Sequence, residues 1–190
     1  MKQLILASAS PRRAELLQQI GVEFEIKAVV VDETPLDSEL PYDYVRRLAM
    51  EKAMMAKAFY PAYGSLVLGS DTAVVLDGEI LGKPYNQEHA LTMLRKLSGK
   101  SHAVLTSVAI IGQQDECIVS ESKVTFANIT ETELERYWLT GEPRDKAGAY
   151  AIQGKAAVFI SRLEGSFSGV MGLPLYETAQ LLKRHGFGIT

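Results

Sequence analysis

Leu66-Val67-Leu68-Gly69-Ser70-Asp71-Thr72-Ala73-Val74-Val75-Leu76-Asp77-Gly78-Glu79-Ile80-Leu81 is the stretch from which the fold is read. Residues 66–76 carry the aliphatic and β-branched content of a strand. Asp77-Gly78 is a strong tight-turn signal, and it sends the chain back through Glu79-Ile80-Leu81 as a hairpin. A hairpin supplies an antiparallel pair, whereas strands that alternate with helices supply parallel ones. Both occur in this chain, so the pattern predicts an α/β fold on a mixed sheet flanked by helices.

Upstream of the hairpin, Leu4-Ile5-Leu6 reads as a short strand, followed by Ala7-Ser8-Ala9-Ser10 and a helix through about Ile20. Ser10 suits the N-cap, Pro11 the first helical position, and Gly21 the stop. Residues 24–31 read as a β-branched strand running into Asp32-Glu33-Thr34-Pro35, and a helix is predicted over roughly 42–58. Downstream, Asn86 can cap a helix to about Leu97, with Gly99 beyond its end. Strands are predicted near 102–111 and 117–127, joined by Gly112-Gln113-Gln114-Asp115. Thr130 and Glu133 form a capping box for a helix through Leu139. The Gly-rich region 144–172 carries one predicted strand near 156–163; Pro174 then opens a last amphipathic helix, which Gly186 closes.

With 190 residues the chain falls in the range of a single domain, 1–190, or of two closely packed lobes. A formal charge of −3 argues against a non-specific nucleic-acid binder, while leaving room for a local phosphate pocket. Cys117 is the single cysteine, so no intramolecular disulfide can form, which fits a reducing compartment. The apolar run of Met1-Lys2-Gln3-Leu4-Ile5-Leu6 is too short for a signal peptide. No run approaches about 18 apolar residues, so no membrane-spanning helix is expected. The expectation is a cytoplasmic chain.

Four segments look chemical. Ser8-Ala9-Ser10-Pro11-Arg12-Arg13 lies between a strand and a helix start, where backbone N–H groups favour an anion. Simple capping by Ser10 beside two solvated arginines is the alternative, although paired guanidinium groups are unfavourable there without an anionic partner. The glycines and the Lys-Ser/Thr pair of a Walker A loop are missing. Lys52 falls on the inward stripe set by Val45, Leu48, Ala49 and Ala56; it either snorkels outward or points its ammonium into a polar pocket. Asp71 is costly inside an apolar strand without a counter-ion or a metal, a surface bulge being the alternative. With Asp32 and Glu33 it offers carboxylates suited to a hard cation such as Mg²⁺. Finally, Asp145-Lys146-Ala147-Gly148-Ala149-Tyr150-Ala151-Ile152-Gln153-Gly154 could bring backbone close to a ligand, with the Gln153 amide able to read a base edge, or it could be a plain structural loop. The histidines, His89, His102 and His185, form no metal-type cluster and are expected to be structural.

Taken together, Leu6-Ala7-Ser8-Ala9-Ser10-Pro11-Arg12-Arg13, Asp32-Glu33, Arg47-Leu48-Ala49 through Lys52-Ala53, Gly69-Ser70-Asp71-Thr72, Gly82-Lys83-Pro84, Asp145-Lys146-Ala147-Gly148 and Gly172-Leu173-Pro174-Leu175 resemble the Maf family of nucleotide pyrophosphatases. The resemblance runs in order along nearly the whole chain. It implies an elongated α/β fold similar to inosine triphosphate pyrophosphatases, with two lobes around a central cleft. The Ala149-Tyr150-Ala151-Ile152-Gln153-Gly154 segment resembles the branch acting on dTTP and UTP; a 7-methyl-GTP enzyme of the same family, or a nucleotide-binding regulator of division with little turnover, are the other readings. Ser70 stands where many relatives have alanine. By resemblance, Asp71 is the catalytic base and Lys52 and Lys83 assist it, while Ser8, Arg12, Arg13, Thr72 and Gln153 bind substrate. Glu33 and Asp71 hold a divalent cation, Mg²⁺ or Mn²⁺, and the chain pairs as a homodimer.

Overall fold

The computed structural model describes residues 3–60 and 64–189. Met1 and Lys2, which enter the reading of the N-terminus, lie outside them. In chain order the elements are β1 (Leu4–Leu6), α1 (Pro11–Gln19), β2 (Glu25–Ile26), α2 (Pro41–Lys57), β3 (Leu66–Leu76), β4 (Glu79–Leu81), α3 (Gln87–Leu97), β5 (Ser101–Ile111), β6 (Glu116–Phe126), α4 (Glu131–Leu139), β7 (Ile160–Glu164), α5 (Phe167–Met171) and α6 (Leu175–Arg184). The strands form a seven-stranded sheet in the order β2-β1-β3-β5-β6-β7, with β4 paired to β3. β1 runs parallel to β2 and β3, and the remaining pairs are antiparallel, so the mixed sheet predicted from the hairpin is present.

β3 organises the molecule. Its odd residues face α2: Val67 packs with Ala49, Ala53 and Ala56, and Ala73 packs with Tyr44, Val45 and Leu48. Its even residues face the other way and divide between two cores. Leu66 and Leu68 join Leu16 and Leu17 of α1 and Leu181 and Leu182 of α6. Val74 and Leu76 join Leu91, Leu94 and Leu97 of α3 and Leu134 of α4. Each such buried aliphatic side chain contributes about 1.5–3 kcal/mol, so the two ends of β3 are firmly held. Gly69 allows α2 to lie close, because a Cβ there would stand 2.9 Å from the Ala53 Cβ and would also strike the Ala49 carbonyl.

The same strand is broken along one edge. β5 covers β3 from Val67 to Val75 on one side. On the other side β1 covers only Leu66–Leu68, and β4 only Val74–Leu76. Residues 69–73 therefore have no strand partner on that edge, and the central cleft opens there, between the end of β1 and the end of β4.

Several local expectations hold residue by residue. Asn86 Oδ1 accepts from the His89 N–H at 2.8 Å, and Thr130 with Glu133 makes the complete capping box. Asp77 and Gly78 take φ of 51° and 83°, the left-handed pair a two-residue hairpin turn requires. Others need correction. The strand expected over 24–31 is reduced to Glu25–Ile26, because only this piece reaches β1 to pair. The strand expected near 156–163 is instead a 3₁₀ turn over Lys155–Phe159 followed by β7, and the short helix α5 was not foreseen. Ser10 occupies the N-cap position of α1 but makes no side-chain capping bond; its N–H donates to Ser8 Oγ at 3.1 Å instead.

Candidate active site

The break in the sheet opens into a cleft of about 970 Å³. Ser8, Arg12, Arg13, Glu33, Lys52, Asp71, Thr72, Lys83 and Gln153 all line it, although they come from elements scattered between residues 8 and 153. Asp32 does not join them: it is exposed, and its carboxylate accepts the Thr34 N–H at 2.9 Å, closing a local turn. Segment 145–153 forms one wall, and the Gly148 N–H donates to the Gly82 carbonyl at 3.1 Å, tying that wall to the loop that carries Lys83.

On the α2 face, charges alternate along a chain of contacts. Lys52 Nζ donates to Asp71 Oδ1 at 2.7 Å and to Glu33 Oε1 at 2.7 Å; Lys83 Nζ donates to Glu33 Oε2 at 3.0 Å. Burial pushes the Asp71 carboxyl above its ordinary range, against the pull of Lys52 and Arg13. Glu33 is also pushed up by burial, but Lys52 and Lys83 outweigh that and hold it below the usual range. The Tyr44 hydroxyl, raised to about 12 by burial beside Asp71 and Glu33, stays protonated and donates to the Glu33 carbonyl at 2.9 Å. Lys52 is thus inward as its helical stripe requires, yet it is paired with two carboxylates. Of the two readings of Lys52, the ammonium directed into a polar pocket is the one found.

On the opposite face, Arg13 is clamped. Its Nε donates to the Gly172 carbonyl at 2.8 Å, its Nη1 to Ser8 Oγ at 3.3 Å and its Nη2 to Thr72 Oγ1 at 3.2 Å. Arg12 Nε donates to the Met171 carbonyl at 3.3 Å. Ser70 Oγ donates to the same Gly172 carbonyl at 3.1 Å, which gives that serine a holding role. Gly172 has φ of 122°, a conformation that side chains rarely adopt, and this turns its carbonyl to the two donors. Two guanidinium groups beside the N-terminus of α1 make a corner whose charge and donors suit an anion. Burial lowers the pKa of the neighbouring cleft residue Lys146, and the charge of Arg12 adds to the effect.

Glu33 Oε1 and Asp71 Oδ1 each lie 2.7 Å from Lys52 Nζ, so the two carboxylates converge on one point, which the lysine ammonium occupies. Among the described residues no group of three or more His, Cys, Asp or Glu side chains gathers in the manner of a metal cage. This donor set matches a Mg²⁺-type ion that takes one or two carboxylates and completes its shell with phosphate oxygens and water.

Some contributors escaped the sequence reading. Thr106 is polar within the apolar run of β5 and sits opposite Thr72; as an uncharged hydroxyl it carries only a weaker form of the signal that singled out Asp71 in β3. Glu142 and Tyr137 brace the segment around Gln153, and nothing local in the sequence marks them for that. His102 is structural as expected: it is buried, with Nε2 2.8 Å from the Tyr150 hydroxyl.

A family model described as "Maf-like protein" matches residues 3–185. A protein of Colwellia psychrerythraea named "dTTP/UTP pyrophosphatase" is 52% identical over 192 residues, covering 98% of this chain and 90% of its own. One of the same name from Symbiobacterium thermophilum is 47% identical, covering 100% and 97%. Among solved structures, the Staphylococcus aureus Ham1 protein superposes with a TM-score of 0.56 at 14% identity, covering 96% of this chain and 98% of that one, a likeness of fold alone.

Proposed function

The chain belongs to the Maf-like protein family, and from that membership and the cleft we propose that it hydrolyses dTTP and UTP to the monophosphate and pyrophosphate. The observation that carries this reading is the pairing across one cleft of a buried carboxylate, Asp71, with lysines on one face and a two-arginine anion corner on the other. Relatives named for dTTP and UTP support the choice of substrate.

In the proposed reaction, Asp71 accepts a proton from a water as its oxygen attacks the α-phosphorus. The bond from that phosphorus to the bridging oxygen breaks, and pyrophosphate leaves with the electron pair. Burial raises the pKa of the Asp71 carboxyl, which makes it a stronger base than an ordinary carboxylate. Lys52, Lys83, Arg12 and Arg13 meet the charge that grows on the leaving group. One cation about 4 Å from a phosphate oxygen contributes roughly 4 kcal/mol at an effective dielectric near 20, before desolvation. Ser8 and the N-terminus of α1 add neutral donors, and Gln153 offers its amide to the base. Glu33 and Asp71 would hold Mg²⁺ or Mn²⁺, which when bound neutralises phosphate charge and makes a water more acidic. Among the described residues no helix is long and apolar enough to cross a membrane; the proposed setting is the cytoplasmic nucleotide pool, with the chain acting as a homodimer.

The test is pyrophosphate release, with Mg²⁺ or Mn²⁺, from dTTP, UTP, CTP, GTP, 7-methyl-GTP and ITP. Release from dTTP and UTP that is lost in Asp71→Asn supports the proposal. Turnover confined to 7-methyl-GTP would remove the role given to Gln153, and tight binding without any turnover would point to regulation.

A further inference from the structure

Thr106 lies in β5 directly opposite Thr72 in β3 and is 1% exposed. Its hydroxyl donates to the Gly169 carbonyl at 2.7 Å. A carbonyl can only accept, and a threonine carries one hydroxyl hydrogen, so the Thr106 hydrogen is committed there. The 3.0 Å contact between the Thr72 and Thr106 hydroxyls must then be a bond that Thr72 donates. Arg13 Nη2, which has hydrogens and no acceptor capacity, donates to Thr72 Oγ1 at 3.2 Å. Thr72 therefore has its only hydrogen turned inward and one lone pair taken. What it retains for the cleft it lines is a second lone pair.

Resting on the nucleotide reading of this cleft, we infer that Thr106 is a positioning residue that fixes Thr72 as an acceptor, so the substrate group that meets Thr72 is a hydrogen-bond donor. That group is an N–H of the base or an O–H of the sugar; a phosphate oxygen, which only accepts, is excluded. Position agrees with chemistry. Thr72 precedes Val74 on one face of β3, and Thr106 follows Val104 on the matching face of β5. Val74, Val104, Tyr150 and Ile152 line the cleft beyond them, and an apolar lining suits the nucleoside end of the substrate. Among pyrimidines, uracil and thymine carry N–H at ring position 3, where cytosine offers a bare acceptor. A polar contact built for a donor discriminates strongly against an analogue that lacks it, because the buried acceptor is left without a partner.

The experiment is calorimetric titration of the full chain with non-hydrolysable α,β-methylene analogues of UTP, CTP and 3′-deoxy-UTP. Wild type is compared with Thr106→Val, Thr106→Ser and Thr72→Val, each checked by thermal melting. Wild type is expected to prefer the UTP analogue by about tenfold or more, over the CTP analogue if the donor is the base, or over the 3′-deoxy analogue if it is the sugar. Thr106→Val, which lets the Thr72 hydrogen turn outward, is expected to shrink that preference to within about threefold, and Thr106→Ser to keep it. An unchanged preference in Thr106→Val, or no preference in either arm for wild type, overturns the inference. Should Thr106→Val melt below the assay temperature, Thr72→Val decides: loss confined to the donor-bearing nucleotide supports it, and equal loss on all three overturns it. Pyrophosphate release from UTP by wild type is measured in parallel. Turnover without any donor preference sinks this inference alone, and absence of nucleotide binding sinks the underlying reading as well.

Discussion

Lys52 Nζ and Asp71 Oδ1 lie 2.7 Å apart, with side chains only 11% and 9% exposed, so the candidate base of this cleft is folded around its own counter-ion. Removing one partner of an enclosed pair leaves the other charge unmatched, at a cost on the order of 3 kcal/mol. Lys52→Met is therefore expected to lose both turnover and stability, the latter measured by urea unfolding at pH 7. The double variant Lys52→Met/Asp71→Asn should recover most of the stability and none of the activity. A single variant as stable as wild type would show that the pair holds nothing together.

Because burial raises the Asp71 carboxyl, the base becomes competent only above the ordinary aspartate range. The acid limb of kcat/KM is expected above 3.8, the ordinary aspartate value. It should move further up in Lys52→Met, whose residual activity lacks the ammonium that favours the ionised form. A limb that stays in place when Lys52 is removed would assign it to another group.

His102 makes a separate prediction about stability. Burial lowers its pKa from 6.5 to about 4, so the folded state resists protonation that the unfolded chain accepts freely. The sign follows from linkage: the contribution is present above pH 6.5 and is lost as pH falls toward 4. The loss amounts to on the order of 3 kcal/mol across that window. His102→Gln, which can keep a bond to Tyr150, should flatten this part of the stability curve in denaturant titrations from pH 7 to pH 4.

Gly69→Ala tests the close approach of α2. The added methyl would meet Ala53 and the Ala49 carbonyl, and overpacking against backbone costs about 1–3 kcal/mol. Since Lys52 is carried by the same helix, turnover should fall further than the melting temperature alone would explain. Wild-type stability in this variant would show that α2 yields easily.

Glu142 holds the wall that carries Gln153. Its carboxylate accepts from the Tyr137 hydroxyl at 2.8 Å, from the Lys155 N–H at 2.8 Å and from the Ala156 N–H at 3.2 Å, and Tyr137 in turn accepts from the Ala151 N–H at 3.3 Å. Glu142→Gln replaces an acceptor oxygen by a donor and loosens the segment on both sides of Gln153. Steady-state kinetics should show KM for dTTP raised about tenfold with kcat within about threefold, the pattern of lost ground-state binding. A fall in kcat at unchanged KM would place Glu142 in the chemistry instead.

Much of this molecule is legible from local pattern, because local pattern is what its elements obey. The Asp77-Gly78 turn, the Asn86 cap and the Thr130–Glu133 box each depend on backbone groups within four residues of one another, and each is found where the residues place it. The inward direction of Lys52 follows from helical spacing in the same way. The failures have the opposite character. Residues 24–31 have strand composition, but a strand needs a neighbour, and β1 is only Leu4–Leu6 long.

What the sequence by itself determined is therefore the set of elements, the mixed character of the sheet and the residue types that carry charge into it. Only tertiary structure decided that β1 and β4 share one edge of β3 and leave residues 69–73 open between them, which is what makes a cleft of a strand. Only tertiary structure paired Lys52 with both Glu33 and Asp71, and turned the Gly172 carbonyl to Arg13 across 159 residues of chain. The physical reason is the range of the interactions. Periods of 2 and 3.6 residues report which way a side chain points, but the identity of what it meets depends on how distant segments close upon one another.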